Sequence, residues 1–390
     1  MISRPVISHR AWLARLASLG AGLALAALGG CASQSAPVSA PSLTVVTAPL
    51  STSLVTAQGT WAVAVMGGSA ASHNNFWQLF VRPTGATRWS LVTPEGVADN
   101  GGLVAAGGAG GTSLLVGFRP SQGLAFSPLA ASSDAGRNWT PGLLDADLAG
   151  VPDALAVGAS GQALALLHDG SIEEAPTAAA ATAGHWSPLT TLGALAASAP
   201  GHACGLAGVE AVSFGVNNTP MAGGSCVRRG VAGVFAESGG AWQAAGPALP
   251  AAFGGDQVQV IGLASAPGGT AALMAAGTVL VAAWSDGAAW TVSAPVAAET
   301  VRASGFGPAG SVWVLLGGGR AEAIGATGGA WRALPAVPAG TQTLAPVAGG
   351  GYYALAVSGS RLTVWQLGAA GSSWVQAQVI DVPIEYGSSG

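Results

Sequence analysis

The chain has 390 residues, 61 of them Gly; half of it is hydrophobic, 8% is charged, and all 13 basic residues are Arg. High hydrophobicity with little net charge excludes a disordered chain, and the scarcity of Glu and the absence of Lys exclude a long coiled coil or helical bundle. A formal net charge of -4 without a single Lys also excludes a basic nucleic-acid binder. What remains is a Gly-rich, turn-rich globular protein of the all-β class.

In chain order, Arg4, His9, Arg10 and Arg15 form a positive leader, and Leu16 to Leu28 form an apolar run of 13 residues. A bilayer span needs about 20 apolar residues, so the run has the length of a signal-peptide core instead. It ends in Leu28-Gly29-Gly30-Cys31, which resembles a bacterial lipobox. The resemblance implies removal of residues 1–30, a diacylglyceryl thioether on Cys31, and a mature protein outside the cytoplasm whose only link to the membrane is that lipid. Residues 31–43 are small, polar and Pro-containing, and are expected to be a flexible tether. Removing the leader takes away three Arg and no acid, leaving 10 Arg against 17 Asp plus Glu. Net charge then draws the domain neither to anionic lipid nor to a phosphate backbone.

With Cys31 assigned to the lipid, Cys204 and Cys226 remain, an even pair in an oxidising compartment. A disulfide is expected. No CxxC or HExxH spacing is present, so no metal site is assigned.

From residue 44 onward, repetition dominates. Trp89, Trp139, Trp186, Trp242, Trp290, Trp331 and Trp374 each open a short apolar segment after a turn, at spacings of 50, 47, 56, 48, 41 and 43 residues. The longest interval holds both Cys, so one insertion accounts for it. Two short apolar runs precede each Trp and another follows, which predicts four short strands per repeat. Gly and Pro density excludes the longer amphipathic stretches of a helical solenoid. Residues 44–390 are therefore expected to form a seven-bladed β-propeller of four-stranded blades, each blade covering its neighbour's face.

Ser132-Ser133-Asp134-Ala135-Gly136-Arg137-Asn138-Trp139 resembles the Asp box, or BNR repeat, of pattern S-x-D-x-G-x-[ST]-W, with Asn in the seventh place. Gly239, Gly287, Gly328 and Gly371 with their following Trp are degenerate copies. The resemblance implies a structural turn built from Ser132, Asp134, Gly136 and Trp139, on the face opposite the ligand site. The opposite face then carries the polar loops. Its candidate ligand residues are His73, Asn74, Asn75, Glu95, Asp99, Asn100, Arg119, Arg228, Arg229 and Arg320.

Asp boxes also occur in sialidases, whose pattern adds an FRIP motif, three Arg and a Tyr nucleophile. Phe118-Arg119-Pro120 resembles FRIP without the Ile, and Tyr352, Tyr353 and Tyr386 are the available tyrosines. The literal GxGxxG at Gly305–Gly310 contains Pro and precedes a strand, so it reads as a turn. The sequence thus points to a monomeric, extracytoplasmic, lipid-anchored binding or assembly module for a saccharide or envelope protein. It names no catalytic residue and no cofactor; the alternative is a sialidase-like glycoside hydrolase.

Overall fold

A computed structural model describes residues 44–45, 52–68, 75–94, 103–108, 111–118, 129–141, 152–266, 268–298, 300–326, 328–347 and 349–383. The chain divides into two compact units, Met1–Ala40 and Pro41–Gly390, and every described residue belongs to the second. The signal segment, Cys31 and the whole expected tether lie outside the described residues.

Apolar residues alternate along short segments bounded by Gly, and the second unit is accordingly built from antiparallel strands. A two-residue strand, β1 (Thr44–Val45), comes first. Seven meanders of four strands follow among the described residues. The first is β2 (Ser53–Thr56), β3 (Gly59–Gly67), β4 (Asn75–Pro83) and β5 (Ser90–Leu91), and the second is β6 (Leu103–Gly107), β7 (Leu114–Phe118), β8 (Leu129–Ser132) and β9 (Thr140–Pro141). The third is β10 (Ala154–Val157), β11 (Ala163–Leu166), β12 (Ile172–Ala175) and β13 (Ser187–Thr190), and the fourth is β14 (Leu206–Phe214), β15 (Pro220–Cys226), β16 (Gly233–Ser238) and β17 (Ala241–Ala244). The fifth is β18 (Val258–Ala266), β19 (Gly269–Ala276), β20 (Val279–Ser285) and β21 (Trp290–Val292), with β22 (Val296–Ala297) also on β20. The sixth is β23 (Thr300–Phe306), β24 (Val312–Leu316), β25 (Ala321–Ile324) and β26 (Arg332–Ala333), and the seventh is β27 (Tyr352's partner strand, Thr341–Pro346), β28 (Tyr352–Ser358), β29 (Arg361–Leu367) and β30 (Val375–Asp381). The fourth and fifth share one backbone pair, Ser225 with Gln259.

Strand alternation sends successive side chains to opposite sheet faces. In β3, Trp61 and Val63 pack with Leu103, Leu114 and Val116 of the second sheet, while Ala62, Ala64 and Met66 pack with Tyr353, Leu355 and Val364 of the seventh. Comparable apolar clusters join the second sheet to the third, the third to the fourth, and so on to the seventh. The fold is β-propeller-like: every sheet buries one face on the sheet before it and the other on the sheet after it, and the first and last are neighbours. Each Leu or Phe fully removed from water there contributes about 2 kcal/mol.

Each repeat Trp stands where expected, just before or within the first two residues of an outermost strand. Four of them tie one sheet to the preceding one. The indole N–H of Trp139, Trp290, Trp331 and Trp374 donates to the carbonyl oxygens of Val92, Ala245, Ala294 and Pro335. Turn residues at left-handed φ explain much of the Gly content; Gly136, at φ 76°, is the case that matters for the site below.

One feature departs from a purely β reading. Three short helices occur, α1 (Ala178–Thr182), α2 (Leu192–Ala197) and α3 (Ala199–Cys204), N-capped by the side chains of Thr177, Thr191 and Ser198. The second and third fill the long Trp186–Trp242 interval. Cys204 ends α3 and is bonded to Cys226 at the end of β15, which pins this insertion to the fourth sheet. No helix among the described residues is long and apolar enough to cross a membrane.

Candidate functional site

Antiparallel meanders put two kinds of connection at opposite ends of the sheets. First-to-second hairpins and third-to-fourth turns lie at one end; second-to-third loops and sheet-to-sheet connections lie at the other. The end with the hairpins holds a cavity of ≈ 360 Å³. It is lined by residues 53–57, 105–107, 155–157, 212–213, 263–265 and 306–310, the innermost strands of the first six sheets and the turns that follow them. Of the Gly305–Gly310 segment, Gly305 and Phe306 end β23, and only Gly307–Gly310 turn as expected; the segment supplies Phe306 and a short 3-10 turn, Pro308–Gly310, to this wall.

Among the described residues, the lining contains no charged side chain. Its hydroxyls are largely engaged: Thr56 Oγ1 accepts from the Trp61 indole N–H at 3.0 Å, and Ser213 Oγ lies 3.4 Å from Ser265 Oγ, which donates to the Phe214 carbonyl. Ser53 Oγ is buried and has no hydrogen-bond partner. The apolar wall is made by Leu54, Leu155, Leu263 and Phe306.

The Ser132–Trp139 segment forms a closed turn at the same end as this cavity, whereas the Asp-box resemblance implied the face opposite the ligand site; as the connection from β8 to β9 it necessarily shares an end with the first-to-second hairpins. Ser132 Oγ donates to Asp134 Oδ1 at 3.0 Å and accepts from the Gly136 N–H at 2.9 Å. Asp134 accepts from the Asn138 N–H at 2.9 Å and from its side-chain amide at 2.5 Å, so Asn138 supplies a donor from the seventh place of the pattern. The Asn138 backbone N–H, then its amide, lower the Asp134 pKa to about 2. A Cβ on Gly136 would lie 2.8 Å from the Val92 Cβ, so Gly is required both for φ and for space. The carboxylate accepts three hydrogen bonds from within the turn and anchors it.

The described members of the sequence-derived ligand set do not converge on the cavity. Asn75 opens β4 and is 7% exposed, its Oδ1 without a partner. Arg228 and Arg229 follow β15, and Arg229 donates from Nη1 to the Gly255 carbonyl at 2.6 Å. Arg320 donates to the Ala297 carbonyl and lies 3.8 Å from Glu322 Oε1. These two Arg tie down sheet-to-sheet connections. His73, Asn74, Glu95, Asp99, Asn100 and Arg119 lie outside the described residues.

Of the tyrosines open to the sialidase alternative, the two described ones are core residues. Tyr352 is 7% exposed between the sixth and seventh sheets, and burial raises its pKa, the reverse of an activated nucleophile. Tyr353 is 5% exposed between the seventh and first, edge-on to Trp89 with Arg82 over its ring at 5.2 Å. Tyr386 lies outside the described residues. Among the described residues, no group of three or more His, Cys, Asp or Glu could hold a metal ion.

The cavity was missed in the sequence because its wall is small and apolar and reads as ordinary core. The one visible signal was the run Gly307, Pro308 and Gly310 directly after β23.

No family model matches the chain, and no curated protein matches it. Among solved structures it is similar to YCF48 from Cyanidioschyzon merolae, with 15% identity, TM-score 0.45, and coverage of 82% of this chain and 94% of that one. It is similar to YCF48 bound to D1 peptide, at 14% identity, TM-score 0.45, and coverage of 81% and 96%. A protein from Lactobacillus plantarum is similar at 12% identity, TM-score 0.47, and coverage of 83% and 96%.

Proposed function

We propose that residues 44–390 form a closed seven-bladed β-propeller of the Asp-box type, held outside the cytoplasm by a lipid on Cys31 after loss of residues 1–30 and linked to it through the tether 31–43. The domain acts as a monomeric binding or assembly module for a saccharide or an envelope protein. The observation that carries this reading is the cavity of ≈ 360 Å³ on which the innermost strands of six sheets converge. The seven inter-sheet clusters support the ring, the Ser132–Trp139 turn supports the Asp-box relation, and the Cys204–Cys226 bond fits an oxidising compartment. Burial of Tyr352 and Tyr353 weighs against the sialidase-like alternative.

Two experiments test it. The full chain expressed in a bacterial host should partition into the detergent phase of a Triton X-114 extract, and Cys31→Ser should move it to the aqueous phase. Glycan and peptide arrays should show saturable binding that is lost in Ala57→Arg, which places a cation at the cavity mouth. Turnover of a fluorogenic sialoside that is abolished by Arg119→Ala would overturn the non-catalytic reading.

A further inference from the structure

We propose that the cavity takes an extended, uncharged peptide segment, recognised through the open backbone edges of the innermost strands. The proposal rests on the cavity reading above and names the ligand class within it. The first argument is chemical. A saccharide presents neighbouring hydroxyls and is held by side chains that offer donors and acceptors in pairs, such as carboxylates, amides and guanidinium groups. Among the described residues the lining has none of these; its Ser213, Ser265 and Thr56 hydroxyls are already hydrogen-bonded, and of the described hydroxyls there Ser53 is left over.

The second argument is topological. Among the described residues β2, β6 and β10 each pair with one strand only, on the side away from the cavity. The other side of such a strand carries unpaired N–H and C=O groups along its length. An extended segment of about four residues matches the length of β2 or β10 and satisfies such an edge.

The third argument is a precedent within the chain. β1 lies parallel on the inner edge of β23, pairing Thr44 with Thr300 and Val45 with Val301, and the Thr52 N–H donates to the Ser304 carbonyl at 3.2 Å. An inner edge of this molecule thus already holds an extended segment by main-chain bonds. Leu54, Leu155, Leu263 and Phe306 provide apolar contact for alternate side chains of the bound segment. A charged side chain in the middle of that segment would be buried without a counter-charge.

The test uses the full chain and a library of acetylated, amidated pentapeptides drawn from Gly, Ala, Ser, Thr, Val and Leu, read by fluorescence polarisation beside an array of neutral glycans. Three derivatives of each binding peptide follow: N-methylation at alternate nitrogens, and a central Asp or Arg. Binding should weaken at least about tenfold on N-methylation, on central charge, and in Ala57→Arg or Pro308→Arg, both at exposed positions of the lining and checked for an unchanged Tm. Undiminished binding of N-methylated peptides, or no peptide binding at about 1 mM, would overturn the proposal. Glycan binding that Ala57→Arg abolishes would leave the cavity reading standing and remove the peptide ligand. Peptide binding indifferent to both variants would remove the cavity itself.

Discussion

Asp134 keeps its charge because the Asn138 backbone N–H and then its side-chain amide point at it, which brings its pKa down to about 2 from the usual 3.8. A carboxyl whose folded pKa is depressed stabilises the fold above its unfolded value and loses that contribution as pH falls through the folded one. Asp134→Ala should therefore lower Tm at pH 5, and the gap to wild type should close between about pH 4 and pH 2. Thermal melts by circular dichroism across that range check this; a gap that persists at pH 2 would assign the residue another role. This turn was legible in the sequence because Ser132, Asp134, Gly136 and Asn138 bond to one another within four residues; the reach of Trp139 to Val92, 47 residues away, was not. Gln342 and Gln378 were not legible, because their partners Val65 and Trp89 are 277 and 289 residues distant.

Among the elements, side-chain amides do the work of missing strands. Gln342 accepts from the Val65 N–H at 2.6 Å and donates to its carbonyl at 2.7 Å; Gln378 does the same for Trp89 at 2.8 and 2.9 Å. Gln58 engages Ser133 and Ala135 in the second sheet's turn in the same manner. Gln342→Ala leaves two part-buried backbone groups without partners and should cost about 2 kcal/mol, read as a lower urea midpoint at unchanged m-value. A cost below about 0.5 kcal/mol would mean that water replaces the amide. The Cys204–Cys226 bond spans 22 residues and joins two buried sulfurs. Cys204→Ser with Cys226→Ser should cost about 3 kcal/mol through loop entropy, while wild type under reductant approaches the same midpoint. The Cys pair and the outlying Trp interval were readable together. The helices ahead of the bond in that interval were not, because α2 and α3 are six residues each and their Thr and Ser caps stand among Ala and Gly that also suit turns.

For the molecule as a whole, the low charge has a structural cause. Each sheet is covered on both faces, so most strand positions are apolar and few places are left for Asp, Glu or Arg. The Trp period was visible because each Trp marks the same junction in every sheet. The cavity was hidden because a channel wall of Ala, Gly, Ser and Leu has the composition of the core around it. The proposed ring closes at the junction of the last sheet with the first. There Thr52 Oγ1 donates to Thr343 Oγ1 at 2.7 Å, across 291 residues. Sulfur atoms in place of those hydroxyls come within reach of a bond of about 2 Å. The direct measurement is the non-reducing gel mobility of Thr52→Cys/Thr343→Cys after mild oxidation. A closed ring predicts a fast-migrating crosslinked monomer that reverts on reduction, with each single variant unchanged. Free thiols at both positions in folded protein would contradict closure, and with it the site at the centre of the ring.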